Sequence, residues 1–90
     1  MKTYLISYDL TKPESSPEYT QLIQMIKTAN FWTKPMKSFW LIKTDLTSLD
    51  IIKQLKSVTD ENDKIYVTEV TKNWTSSNLA EKTVNWLTQS

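Results

Sequence analysis

The 90-residue chain has neither His nor Cys, which removes thiolate catalysis and the usual zinc ligand sets. What remains for chemistry is a carboxylate holding a hard cation such as Mg²⁺ or Mn²⁺, with no other cofactor indicated. The leading carboxylate is Asp9, which ends the run Thr3-Tyr4-Leu5-Ile6-Ser7-Tyr8-Asp9. A metal held by Asp9 lowers the pKa of its bound water and polarises a phosphodiester. Ser7, Tyr8 and Ser38 carry hydroxyls that can orient a phosphate or the waters of a metal. Asp9, Ser7 and Ser38 are therefore the candidate catalytic residues, and Asp9 the candidate metal ligand. Each also has a plainer role. Asp9 can end a strand and cap the Thr11-Lys12 turn, the serines can satisfy a neighbour, and Tyr8 can belong to the core or an interface.

A second constellation is basic. All 11 basic residues are lysines, so the planar guanidinium fork that clamps phosphate or guanine is missing. Lysine still meets a phosphate as a point charge. Lys12, Lys34, Lys37 and Lys43 are expected to cluster around a hairpin over 31–44 and the loop after the first strand, interleaved with Trp32, Phe39 and Trp40. That mixture suits a surface for single-stranded nucleic acid. The competing account is that lysines blunt sheet edges while the aromatics fill the core. The net charge of +1 creates no general pull toward nucleic acid or membrane. Asp60, Glu61 and Asp63 form an acidic loop without the ligand count or turn glycine of an EF-hand, and we expect it to be solvated. The absence of Gly excludes phosphate-binding loops and dinucleotide fingerprints.

The elements that must position these residues follow from periodicity. Residues 3–9 alternate as a strand, with Tyr4, Ile6 and Tyr8 on one face and Leu5, Ser7 and Asp9 on the other. Lys12 to Pro17 reads as a loop. Ser15 and Glu18 have capping-box spacing, and Pro17 suits a first helical turn. Tyr19, Leu22, Ile23, Ile26 and Ala29 then form a helical apolar stripe that ends near Asn30. Residues 31–34 and 38–44 form a hairpin around the turn Pro35-Met36-Lys37. Thr47-x-x-Asp50 opens a second helix with Leu49, Ile52, Leu55 and Val58 inside. Residues 64–70 form a further strand. The tail from Lys72 to Ser90 carries an Asn/Ser-capped helix bearing Leu79, Thr83, Trp86 and Leu87, with a short edge strand over 73–75 and Trp74 and Trp86 buried at a tail or dimer contact.

The expected fold is α+β: a ferredoxin-like β-α-β-β-α-β antiparallel sheet with an additional C-terminal helix. It forms one domain over 1–90, with its core in 1–70 and its tail in 71–90. Two helices cover one sheet face; the other, with aromatics on it, needs the third helix or a second copy of the chain, and a homodimer is expected. No apolar run approaches the ~20 residues that span a bilayer. The start of the chain is too short and too soon interrupted by Asp9 for a signal peptide, so a cytoplasmic protein without a membrane partner is expected.

Tyr4-Leu5-Ile6-Ser7-Tyr8-Asp9-Leu10 resembles the first strand of Cas2-type proteins, an apolar strand ending in Tyr-Asp. Ser38-Phe39-Trp40-Leu41-Ile42, Phe31-Trp32 and Asn62-Asp63 are similar to segments of a compact Cas2-like subgroup, and VapD-type proteins share the fold. The resemblance covers roughly residues 1–70. It implies a symmetric dimer with Asp9 of each subunit near the twofold, where some relatives bind a divalent metal and cut RNA or DNA. Others are non-catalytic scaffolds that hold DNA for an integrase. Two like charges at such an axis repel, and Mg²⁺ would relieve that repulsion. A toxin–antitoxin or immunity module with a protein partner is the third alternative. The chain departs from the family in having no Arg and no second acid directly beside Asp9.

Overall fold

The computed structural model describes residues 1–89; Ser90, last of the expected tail, lies outside the described residues. The elements are β1 (Lys2–Asp9), a single 3-10 turn (Pro17–Tyr19) leading into α1 (Thr20–Lys27), β2 (Phe31–Met36), β3 (Phe39–Thr44), α2 (Ser48–Lys56), β4 (Lys64–Glu69) and α3 (Glu81–Thr88). The fold is α+β. The four strands lie in the order β2-β3-β1-β4, and every neighbouring pair is antiparallel. No helix is long and apolar enough to cross a membrane among the described residues.

Strand register divides the side chains between two faces. Tyr4 pairs with Ile42, Ile6 with Trp40 and Val67, and Tyr8 with Ile65, so these share one face. α1 and α2 close that face. Tyr19, Leu22 and Ile26 from the first helical segment and Ile51 and Leu55 from α2 join Tyr4, Ile6, Tyr8, Trp40 and Ile42 in one core. Burying such a side chain stabilises the fold by about 1.5–3 kcal/mol.

Local chemistry explains most element ends, and it moves several of them from expectation. The Thr47–Asp50 capping box forms in both directions: the Thr47 side chain accepts the Asp50 N–H, and Asp50 accepts the Thr47 N–H. Starting the helix there turns Ile51 and Leu55 inward and leaves Leu49 exposed, so the expected inner position of Leu49 is corrected. The box at Ser15 and Glu18 does not form. Ser16 caps the 3-10 turn without a side-chain bond, and Glu18 accepts Lys12 Nζ at 3.3 Å instead. The hairpin turn is Lys37-Ser38, with Ser38 at φ 54°, rather than Pro35-Met36-Lys37. Pro35 sits in β2 at an irregularity between Thr33 and Met36, which an edge strand tolerates because no partner needs the missing N–H. The edge strand expected over 73–75 does not form. α3 is capped by Ala80 without a side-chain bond, not by Asn or Ser.

The second face carries Thr3, Leu5, Ser7 and Asp9 of β1, Phe39, Leu41 and Lys43 of β3, and Lys64, Tyr66 and Thr68 of β4. α3 and the segment before it cover one end of it. Leu87 and Thr83 are buried, as are Leu41 and Thr3. Lys43 Nζ donates to the Trp86 carbonyl at 2.9 Å and lies 4.3 Å from the centre of its ring. A groove of about 400 Å³ runs between Leu5, Leu41 and Phe39 on the sheet and Trp74, Leu79 and Leu87 on the tail. The opposite end, toward Asp9, is left open: Tyr66 is 63 % exposed, while Met36 lines the groove beside the tail.

Candidate functional site

The C-terminal end of β1 gathers the candidate catalytic residues. Ser7 and Asp9 are two positions apart and therefore project from the same face. Ser7 sits across from Phe39 on one side and Tyr66 on the other, and Asp9 sits across from Lys64. Ser38 lies beside this end of β1 by its backbone, since its carbonyl accepts the Tyr8 N–H at 3.2 Å, and Tyr8 belongs to the other face. Asp9 is exposed, and no side-chain hydrogen bond or ion pair engages its carboxylate among the described residues. It is a hard oxygen donor of the kind that a hydrated Mg²⁺ accepts. No group of three or more His, Cys, Asp or Glu side chains forms a metal-ligating set among the described residues. Further ligands for a metal at Asp9 would be waters, hydroxyl or carbonyl oxygens, or groups from another molecule.

Asp9 does not cap the turn that follows it. That task falls to Asp63, which the sequence suggested was merely solvated. Its carboxylate accepts the Thr11 N–H at 2.8 Å, the Thr11 hydroxyl at 3.1 Å, the Tyr19 hydroxyl at 2.9 Å and the Asp60 N–H at 2.9 Å. Desolvation pushes the Asp63 carboxyl up, but these backbone and side-chain donors together outweigh it and hold it below the usual carboxylate range. Asp63 thus ties the loop after β1 to the entrance of β4 and leaves the Asp9 carboxylate free of that duty.

Beneath the site, on the covered face, lies a connected polar network. Trp40 Nε1–H donates to the Tyr8 hydroxyl at 2.8 Å, the Tyr8 hydroxyl donates to Glu14, and Lys34 Nζ lies 3.0 Å from the Glu14 carboxylate. Burial pushes the Tyr8 phenol well above its ordinary range, and its bond to Glu14 adds to that, so it remains a neutral donor. Partial burial raises the Glu14 carboxyl, yet the hydrogen bonds from Tyr8 and Lys34 and the Lys34 charge hold it low overall. The hydroxyl of Tyr8 is committed to this network and belongs to the core.

The four candidate nucleic-acid lysines do not gather on one surface. Lys12 pairs with Glu18 and Lys34 with Glu14. Lys43 holds Trp86 at the far end of the sheet, and Lys37 lies in the exposed β2–β3 turn. Of the three interleaved aromatics, Trp40 is buried, Phe39 is half-buried, and only Trp32 is open. No protein-family model matches the chain, and no curated protein matches its sequence. The functional side chains that sequence reasoning missed are Glu14, Tyr19 and Asp63. Only Asp63 left a local signal: it stands three residues after Asp60, in a segment that its own carboxylate closes.

Proposed function

We propose that the chain is a Cas2-like homodimer of ferredoxin-like topology that associates with nucleic acid in the cytoplasm, in CRISPR adaptation or mobile-element defence. The observation that carries this reading is the open end of the second sheet face, where Tyr66 is exposed beside Asp9 and the surface continues into the groove lined by Met36 and Phe39. Two copies meeting there would remove exposed aromatic surface from water and bring their Asp9 carboxylates together. The strand order β2-β3-β1-β4, with helices inserted after β1 and β3, supports the ferredoxin-like assignment. The dimer acts chiefly as a holder of nucleic acid, because one carboxylate per subunit is a thin constellation for catalysis.

The second reading is a metal-dependent endonuclease, and the unengaged Asp9 carboxylate favours it. Light scattering should give the mass of a dimer for the wild type and of a monomer for Tyr66→Lys. Labelled RNA and DNA strands should bind at low salt, since phosphate contacts strengthen as salt falls. Cleavage in Mg²⁺ or Mn²⁺ that disappears in Asp9→Ala would establish the nuclease; cleavage that persists would assign it to a contaminant. A monomer without affinity for any strand would overturn the proposal and favour a toxin–antitoxin or immunity module with a protein partner.

A further inference from the structure

The edge strand β2 and the end of α1 form a surface separate from the Asp9 end. Phe31 is 52 % exposed and Trp32 43 % exposed. As consecutive strand residues they point to opposite faces and flank the sheet edge. Trp32 is firmly backed. Its ring centre lies 5.5 Å from that of Trp40, tilted by 58°, and Trp40 is itself buried and hydrogen-bonded to Tyr8. Lys27, the last residue of α1, holds its ammonium 5.0 Å from the centre of the Trp32 ring. Lys34 follows two positions after Trp32 but is held by Glu14, and Lys37 stands in the turn beyond β2. No carboxylate pairs with Lys27 or Lys37 among the described residues.

This sequence of cation, two open aromatic rings and a further cation is the pattern that a single-stranded nucleic acid complements. Its bases stack on aromatic faces, and its phosphates follow lysines without any need for a guanidinium fork. A duplex keeps its bases stacked inside and gains only the charge contacts. A protein strand adding to this edge meets Pro35, which lacks the N–H, and the irregularity between Thr33 and Met36.

We propose that the β2 edge binds single-stranded nucleic acid, with Trp32 and Phe31 as stacking platforms and Lys27 and Lys37 as phosphate contacts. The inference rests on the nucleic-acid association proposed above and assigns it to a surface away from Asp9. A base takes the place of the Lys27 ammonium over the Trp32 ring, and the displaced ammonium remains within reach of the neighbouring phosphate.

The test titrates the full chain with labelled oligo-dT, oligo-rU and a duplex, each about 15 nucleotides long, and follows anisotropy together with tryptophan fluorescence. Single strands should bind at least about 10-fold tighter than duplex, with quenching of tryptophan emission. About two phosphate contacts should weaken binding about 7-fold between roughly 50 and 200 mM salt. Tighter binding of oligo-rU or of oligo-dT identifies which single strand is the ligand. Trp32→Ala should lose about 10-fold, while Trp32→Phe keeps most of the affinity. Lys27→Met leaves the core untouched and should lose affinity together with part of the salt dependence. Equal binding of duplex and single strand, or unchanged binding in both Trp32→Ala and Lys27→Met, overturns this inference and leaves the nucleic-acid reading standing with its contacts elsewhere. Failure of every oligonucleotide to bind overturns both.

Discussion

The two faces of β1 are made by one strand and end in different states. Tyr4, Ile6 and Tyr8 meet α1 and α2, and all three are buried. The alternate residues run from Thr3, buried under the tail, through half-buried Leu5 and Ser7 to exposed Asp9. Two helices cover the first face along its length; one short helix covers the second at one end. The cover is also less well matched, because the Thr3 hydroxyl is buried there without a hydrogen-bond partner, a loss of about 1–3 kcal/mol. The lesson is that alternation assigns sides, whereas the number and placement of the covering helices decide where a side becomes a surface. In this chain the exposed remainder is the end that bears the one unengaged carboxylate of β1.

The comparison is tested most strongly inside the covered face. Ile6→Ala should cost about 3–4 kcal/mol in urea unfolding, and Leu5→Ala, one residue along and facing the tail, about 1–1.5 kcal/mol. Equal losses would mean that the tail packs as well as the two helices do. Next in size is Asp63→Ala, which strands four donors, two on Thr11 and one each on Tyr19 and Asp60, and should cost about 2–3 kcal/mol. The same residue has a pH signature. Asp63 and Glu14 are both held below the usual carboxylate range in the folded state, so their contribution is complete above the unfolded value of about 4 and is lost as pH falls through the folded values. Thermal stability should therefore stay flat from neutral pH down to about 5 and drop below about 4, less steeply in Asp63→Asn. A drop that begins near neutrality would contradict this assignment.

Smaller effects probe the tail itself. Lys43→Met removes the bond to the Trp86 carbonyl and the ammonium over its ring, at a cost of about 1 kcal/mol. Amide exchange should accelerate in residues 81–88 while α1 and α2 keep their protection; faster exchange throughout would show that the tail is part of one cooperative unit. Ser38→Gly should stabilise the chain by about 0.5–1 kcal/mol, since glycine adopts φ 54° without the side-chain clash. The midpoint of unfolding should rise.

How much of this was legible beforehand depends on the range of the interaction. The alternation of β1, the inward stripe of Leu22 and Ile26 and the Thr47–Asp50 box involve residues within a few positions of one another, and each was readable in the chain. The hairpin turn was misplaced because proline usually marks a turn; here an edge strand absorbs Pro35 and Ser38 takes the positive φ. Leu49 was misassigned because the apolar spacing of the helix fits two overlapping stripes, and only the position of α2 over the sheet selects the one through Ile51 and Leu55. The role of Asp63 was hidden because its partner Thr11 lies 52 residues away. For the candidate site, the chain showed that Asp9 and Ser7 share a side, but not that Asp63 relieves Asp9 of its turn.

By itself the sequence determined which chemistries are open to this protein and which residues alternate or repeat along each element, because composition and periodicity are properties of neighbours in the chain. Only the tertiary structure decided that the tail covers half of the second face, that Trp32 stays open while Trp40 is buried, and that Asp63 closes the loop after β1. Those outcomes depend on burial and on hydrogen bonds between segments far apart in sequence, and such contacts exist only once the sheet has brought the segments together.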